Sequence, residues 1–445
     1  MLRRPRLAAT CVLAACASFA HAAETPLSVY QAALTGNAAY RAVRAGAEAD
    51  REAINIAFGA LLPNLSISSV RNRNQVDRSL GGGAPERFDY ASASDALTLR
   101  QPLYRPGNLA AWDQAKAQAD ASESDALRAR GELAVKALST YFDAAFTDDV
   151  DGYLQAQKAA AAAQVEAATR GLAAGSGTRI DLDEARSRLD LLLAQEIDLR
   201  NQRADARRTL GALMARPPTA LARLTPERML LAPQKPDEAA ALVAEAVARN
   251  PELATARAQV AAAALEVSKA SAGHYPTLDL VASTSRSGND SLATLNRTGD
   301  VQFRQNVIGV QLNVPLYAGG QVSATVRQAA ARLEQARQRA EEARRQLEVT
   351  VQKEFDNLTQ GAAKIRALER AVASAAQTAD SVRKGVVAGV RSTLEVLSAD
   401  QQVFQVKSDL ARERYRYLLA RLRLTAAIGR DMEEDLEKLS AWFAS

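Results

Sequence analysis

Very few residues of this chain could make or break bonds, and their spacing keeps them apart. Among its 445 residues are two histidines and two cysteines. Cys11, Cys16 and His21 fall within residues 1–22, which read as an export leader, so His274 is the only imidazole beyond it. A lone histidine without Cys or Asp neighbours reads as a surface or interface residue rather than a metal ligand. The carboxylates are spread along solvated helix faces, and no Gly-x-x-x-x-Gly-Lys-[Ser/Thr] loop is present to hold a nucleotide. No nucleophile, base and oxyanion donor converge, so the expectation is no enzyme, no cofactor and no metal. The chemistry left is electrostatic, and it sits at two turns. Ala174-Gly175-Ser176-Gly177 precedes Asp181, and Ala388-Gly389-Val390-Arg391 precedes Glu395 and Ser398. Taken locally, Asp181 caps a helix opening at Ile180 and Arg391 is a solvated turn residue.

Those turns join elements that the chain writes twice. Leu62-Pro63-Asn64-Leu65 recurs as Tyr275-Pro276-Thr277-Leu278, and Pro102-Leu103-Tyr104 as Pro315-Leu316-Tyr317, both 213 positions on (276 − 63, 315 − 102). Asn37 recurs as Asn250 and Phe142-Asp143 as Phe355-Asp356 at the same offset. A constant offset over such a length marks a duplicated unit, and two copies are too few for a solenoid. The expected fold is α+β, mostly α, with an α-β-β-α-α order in each copy. Repeat 1 spans 23–213, with strands at 64–77 and 89–101 and a helical hairpin at 107–213. A proline-punctuated linker covers 214–236. Repeat 2 spans 237–429, with strands at 277–288 and 301–314 and a hairpin at 321–428, and a short tail covers 430–445. The stretches 79–88 and 287–300 read as loops between paired strands.

The helices are too long for a globular domain. No proline interrupts the chain between Gly107 and Ala173, or between Gln321 and Ala388. Each stretch makes a helix of roughly 100 Å at 1.5 Å per residue. Leu333, Ala336, Ala340, Ala343, Leu347, Val351 and Phe355 form a coiled-coil seam with one slip, and its small alanines imply close packing. Arg337, Arg339, Glu341, Glu342, Arg344 and Arg345 are its solvated flank.

The strands alternate. Ile308, Val310, Leu312 and Val314 share one face, and Gly309, Gln311 and Asn313 the other. Ala91, Ala93, Leu97 and Leu99 likewise oppose Ser92, Ser94, Thr98 and Arg100. Each strand is long enough for an outer membrane, which takes about 9–11 tilted residues. A sheet in lipid must close, because an open edge leaves backbone groups unpaired. Four strands are fewer than the roughly eight of the smallest single-chain barrels, so several chains would have to contribute.

Export fits the start of the chain. Arg3, Arg4 and Arg6 precede an apolar core too short to span a membrane, and Ala20-His21-Ala22 fits a signal-peptidase site. Leu13-Ala14-Ala15-Cys16 also resembles a lipoprotein cleavage box, which would place a lipid on Cys16 instead. The formal charge of +5 includes the three leader arginines, so the mature chain is nearly neutral and offers no argument for nucleic acid.

With these elements in place, the chain resembles the TolC family of trimeric outer-membrane channel-tunnels over essentially its whole mature length. The resemblance rests on the two Pro-containing strand entries, on Pro315-Leu316-Tyr317-Ala318-Gly319-Gly320, on Gly385 to Ala399 and on Tyr415-Arg416-Tyr417-Leu418 ahead of Ile428-Gly429. It implies a homotrimer with a 12-stranded transmembrane β-barrel continued by a 12-helix periplasmic α-barrel, located in the bacterial outer membrane and reaching into the periplasm. The implied function is an exit duct for type I protein secretion, multidrug efflux or both. Implied partners are a periplasmic adaptor, an inner-membrane ABC or proton-driven transporter, the exported protein or small molecule, and outer-membrane lipid. At the periplasmic tip the resemblance places an acidic ring at Glu395, a second ring position at Ser398 that is not acidic here, and a gate-locking pair of Arg391 and Asp181. A periplasmic coiled-coil scaffold without a pore is the alternative that the residues leave open.

Overall fold

The computed structural model describes residues 23–79, 82–231, 238–294 and 297–444. The expected leader, 1–22, and residues 232–236 of the expected linker lie outside them. Two helices, α1 (Pro26–Gly36) and α2 (Ala38–Gly59), lead to strands β1 (Asn64–Arg78) and β2 (Glu86–Tyr104). The long helix α3 (Pro106–Ala173) and its returning partner α4 (Arg179–Met214) follow. After the short strand β3 (Arg223–Leu224) the order resumes with α5 (Glu238–Arg249), α6 (Pro251–Ser271), β4 (Thr277–Thr294), β5 (Arg297–Asn313), α7 (Gln321–Val387) and α8 (Thr393–Ile428). Helix α9 (Met432–Ser440) and strand β6 (Phe443–Ala444) close the chain.

Two expectations need correcting. First, two helices, not one, precede each strand pair. The breaks fall at Asn37 and Asn250, the residues that recur at the repeat offset. Each leaves the helical region (ψ 115° and 126°), and its side-chain oxygen accepts from a backbone N–H three residues on, Tyr40 at 3.0 Å and Leu253 at 2.9 Å. An N-cap offers the backbone a local alternative to helix, which is why a single Asn suffices. Second, the stretch 287–300 is mostly ladder rather than loop, with Asn289 opposite Val301, Leu292 opposite Gly299 and Thr294 opposite Arg297. Its Ser, Asn and Asp content marks solvation, but the ladder is made by backbone groups. The tail holds α9 and β6.

The tail, the linker and the chain's first described residues meet beside the middle of the long helices. β6 pairs with β3. The Glu24 N–H donates to the Ala220 carbonyl at 2.7 Å, and the Ala222 N–H to the Glu24 carbonyl at 2.9 Å. The Tyr141 hydroxyl of α3 sits 3.0 Å from both the Glu24 and Ala222 carbonyls. Phe142 stacks on Phe443 at 6.2 Å between centroids. Leu436 and Leu439 of α9 are fully buried. Burial holds the Tyr141 hydroxyl far above its usual range, and it pushes the Asp149 carboxyl up where the Tyr415 hydroxyl donates to it at 2.8 Å. The α7 seam runs into this core. Leu333, Ala336, Ala340 and Ala343 are half-buried, while Leu347, Val351 and Phe355 are buried.

The returning helices end at matched sites with opposite solutions. At the end of α4, Ala215 takes the left-handed conformation (φ 55°) and lies against Gly36, where an added Cβ would stand 2.4 Å from the Met214 carbonyl. At the end of α8, Gly429 takes that conformation (φ 80°), and its added Cβ would stand 2.6 Å from the Arg249 carbonyl. One glycine is kept at each contact, on α1 in one case and after α8 in the other. Gly429→Ala is expected to cost at least ~2 kcal/mol, from the left-handed backbone and a clash with main chain. The thermal unfolding midpoint of the purified protein would fall by several degrees, and an unchanged midpoint would refute this account.

Candidate functional site

The four long strands form one antiparallel sheet in the order β1-β2-β4-β5. Because paired residues share a face, the register sorts the side chains. Leu65, Leu99, Ala282 and Ile308 form one row, and Gln101, Leu280 and Val310 the row nearer the helices. Ser66, Thr98, Ser283 and Val307 form a row of the opposite face, with Ser68, Ala96, Ser285 and Gln305 beside it. The apolar face is bare. Ile67 is 80% exposed, Ile308 79% and Leu312 62%. An apolar face of this extent in water would be an aggregation site, whereas in lipid it is satisfied. Among the described residues no helix is long and apolar enough to cross a membrane, which leaves the sheet as the candidate membrane element.

Where sheet meets helices lies a carboxylate that the sequence reading did not single out. Asp279 of β4 has a side chain only 3% exposed. Arg105, the residue before α3, donates to it from Nε at 2.8 Å and from Nη2 at 2.6 Å. Arg100 of β2 adds Nε at 3.0 Å and Nη2 at 2.9 Å. This cluster ties β2, β4 and the start of α3 together. A signal existed in the repeat comparison. At the 213 offset Asp279 answers to Ser66 and Arg105 to Ala318, so the charges appear as a matched difference between the copies.

At the other end of the long helices are the two turns. α3 closes through Gly175 (φ 70°), with the Ser176 and Gly177 N–H groups donating to the Gly171 carbonyl at 2.9 and 3.0 Å. α7 closes through Gly389 (φ 73°), with the Val390 and Arg391 N–H groups donating to the Gly385 carbonyl at 3.0 and 3.2 Å. Left-handed geometry at these two positions requires glycine or a strained substitute. The next helices are capped by Thr178 and Ser392, which accept from the N–H groups of Asp181 and Glu395.

Asp181 and Glu395 therefore hold the same place in their helices, 214 positions apart (395 − 181). Their side chains differ. Asp181 turns back to its cap, accepting from the Thr178 hydroxyl at 2.7 Å and the Thr178 N–H at 3.0 Å, and those bonds hold its carboxyl below the usual carboxylate range. Glu395 turns away and accepts from Arg391 Nη1 at 3.0 Å. Gly385 makes room for this, because the Arg391 Cγ lies 2.6 Å from where a Cβ would be. So the structure brings Arg391 to Glu395 within the chain and leaves Asp181 on its own cap. Ser398 is exposed. His274 sits in a short turn beside Pro315, Leu316 and Tyr317, and among the described residues no group of His, Cys, Asp and Glu could hold a metal ion.

Comparison with known proteins identifies the architecture. The family model described as "Outer membrane efflux protein" matches residues 29–216 and 242–430. The Alkaline protease secretion protein AprF of Pseudomonas aeruginosa is 34% identical over 424 residues, covering 94% of this chain and 87% of that protein. The Outer membrane protein TolC of Escherichia coli is 30% identical over 424 residues, covering 94% and 85%. The solved structure of the outer membrane protein VceC of Vibrio cholerae superposes with a TM-score of 0.76 at 18% identity, covering 92% of this chain and 96% of that one. The chain belongs to the outer membrane efflux protein family, as a TolC-type exit duct that sits in the outer membrane and extends into the periplasm.

Proposed function

We propose that three copies of this chain form a duct with a 12-stranded barrel and a 12-helix tunnel, built from a duplicated unit. The observation that carries this reading is the sheet, which combines a bare apolar face with two long edges, β1 and β5, that have no neighbouring strand among the described residues. In lipid, those edges require partners, and β5 of one protomer against β1 of the next supplies them. Asp181, Arg391, Glu395 and Ser398 then lie at the periplasmic tip. Glu395 lines its acidic constriction, Ser398 adds no second ring, and Arg391 braces Asp181 of the neighbouring hairpin when the tip is shut. A periplasmic adaptor and an inner-membrane ABC or proton-driven transporter open it, and the transporter supplies the energy. A protein cargo, as in type I secretion, is favoured by the likeness to a relative named for alkaline protease secretion. Efflux of small molecules is the second reading, supported by the family's description.

Native mass measurement in detergent should give three chains, and planar-bilayer recording should give a small, cation-preferring, mostly closed conductance. A monomer that still inserts into membranes, or a trimer that conducts nothing under any condition, would overturn the reading. The second outcome would favour a poreless scaffold.

A further inference from the structure

The apolar face of the sheet ends in arginines. Above the row Leu65–Leu99–Ala282–Ile308 comes Ile67–Leu97–Thr284–Asn306, and above that Ser69–Asp95–Arg286–Arg304. Arg71 follows one step further along β1 on the same face. Asp95 is the only acid in this row and is already engaged. Arg71 meets it through Nη1 at 2.9 Å and Nη2 at 3.0 Å, and the Ser69 hydroxyl donates to it at 2.7 Å. Arg286 donates to Gln302 at 3.0 Å. Arg304 stands directly opposite Arg286, and among the described residues its side chain has no hydrogen bond or ion pair. Two like charges directly opposed across a ladder repel unless an anion joins them.

The height of this row fits a headgroup. Arg304 lies eight residues from Leu312 along β5 (312 − 304). That is about 27 Å of strand, or roughly 20 Å across the membrane at a tilt of about 40°. The long helices leave the sheet at its opposite end, so the arginine row faces away from the periplasm.

We propose that Arg286 and Arg304, supported by Arg71, form a headgroup site for a phosphate-bearing glycolipid of the outer leaflet. The inference rests on the apolar face lying in lipid. Guanidinium groups suit it because they pair with phosphate through two parallel bonds and stay charged. The site holds surrounding lipid to the barrel wall and plays no part in conduction.

The test uses the full-length protein in detergent, titrated with diphosphorylated lipid A and, separately, with phosphatidylcholine, and read by native mass spectrometry. The wild type should retain lipid A in preference to phosphatidylcholine. Arg286→Gln with Arg304→Gln should weaken lipid A binding roughly twenty-five-fold, at about a factor of five for each arginine, without changing phosphatidylcholine retention. The corresponding double lysine variant should restore most of the affinity. If the double glutamine variant does not insert into phosphatidylcholine vesicles, Arg304→Gln alone should still show the fivefold loss, because it removes no hydrogen bond or ion pair of the described residues within the protomer. Equal lipid A affinity in wild type and glutamine variants would overturn the site. A wild type that does not insert into phosphatidylcholine vesicles at all would overturn the membrane placement beneath it.

Discussion

Asp279→Ala is expected to remove most assembled protein from the outer membrane. The carboxylate is almost fully enclosed and accepts from two guanidinium groups, Arg100 and Arg105. Replacing both signs by apolar groups would be close to neutral, but removing the carboxylate alone leaves two guanidinium groups crowded together. Because those guanidinium groups are partly exposed and water takes up part of the loss, removing the carboxylate costs about 1.5–3 kcal/mol. That is a large share of the roughly 5–15 kcal/mol that holds a typical domain together. It also strikes the point where two strands and a long helix are set relative to one another. Asp279→Asn keeps the shape and one acceptor and should fall between wild type and alanine. Outer-membrane abundance and the heat-dissociation midpoint are the readouts. If Asp279→Ala accumulates normally and dissociates at the wild-type temperature, the cluster does not hold the junction.

The second large effect is expected at the tip. Arg391→Ser and Asp181→Asn should each raise resting conductance. An exposed pair contributes about 0.5–1 kcal/mol. Three such braces around a threefold axis sum to ~1.5–3 kcal/mol, enough to shift the closed-to-open ratio by roughly 10- to 150-fold. Asparagine is the better substitution at position 181, since it keeps a capping acceptor for Thr178 while removing the charge. The bond between Arg391 and Glu395 separates the two variants further. Arg391→Ser unmasks the Glu395 charge, so cation preference should rise along with conductance. Asp181→Asn should raise conductance and leave selectivity alone. Glu395→Gln should lower cation preference and free Arg391 for the brace, leaving conductance low. If Arg391→Ser and Asp181→Asn both leave resting conductance unchanged, neither residue locks the tip. If Glu395→Gln leaves selectivity unchanged, the acidic constriction lies elsewhere.

Much of this architecture is written in local patterns. The long helices follow from proline-free, alanine-rich stretches ended by glycine, and the turns at Gly175 and Gly389 need the left-handed backbone that glycine supplies. The strand faces follow from period two. What escaped notice depends on partners distant in sequence. Asp279 looks like any polar residue of a half-polar strand until β2 and α3 bring Arg100 and Arg105 against it. The breaks at Asn37 and Asn250 are weak signals, because one Asn between helical patterns lowers helix propensity only slightly. The extra ladder beyond Asn289 escaped because backbone pairing is indifferent to the polar side chains that had marked it as loop. The assignment of residues to a tip rests on resemblance alone. Their different bonding, Asp181 to its own cap and Glu395 to Arg391, needed coordinates.

The meeting of both chain ends beside the long helices bears on when the molecule can become itself. The Leu27 N–H donates to the Ser440 hydroxyl, a contact between residues 413 apart in the chain. Strand β6 completes a sheet whose other strand lies in the linker, 219 positions earlier (443 − 224). A contact of such separation is slow to form and cannot form early. The exposed strand edges and apolar sheet face meanwhile make an incomplete chain prone to stick to others. Closure of this waist thus acts as a clock. Until α9 and β6 have docked on the linker and on α1, the protomer stays unfinished there, and its strand edges stay open to other chains for that interval.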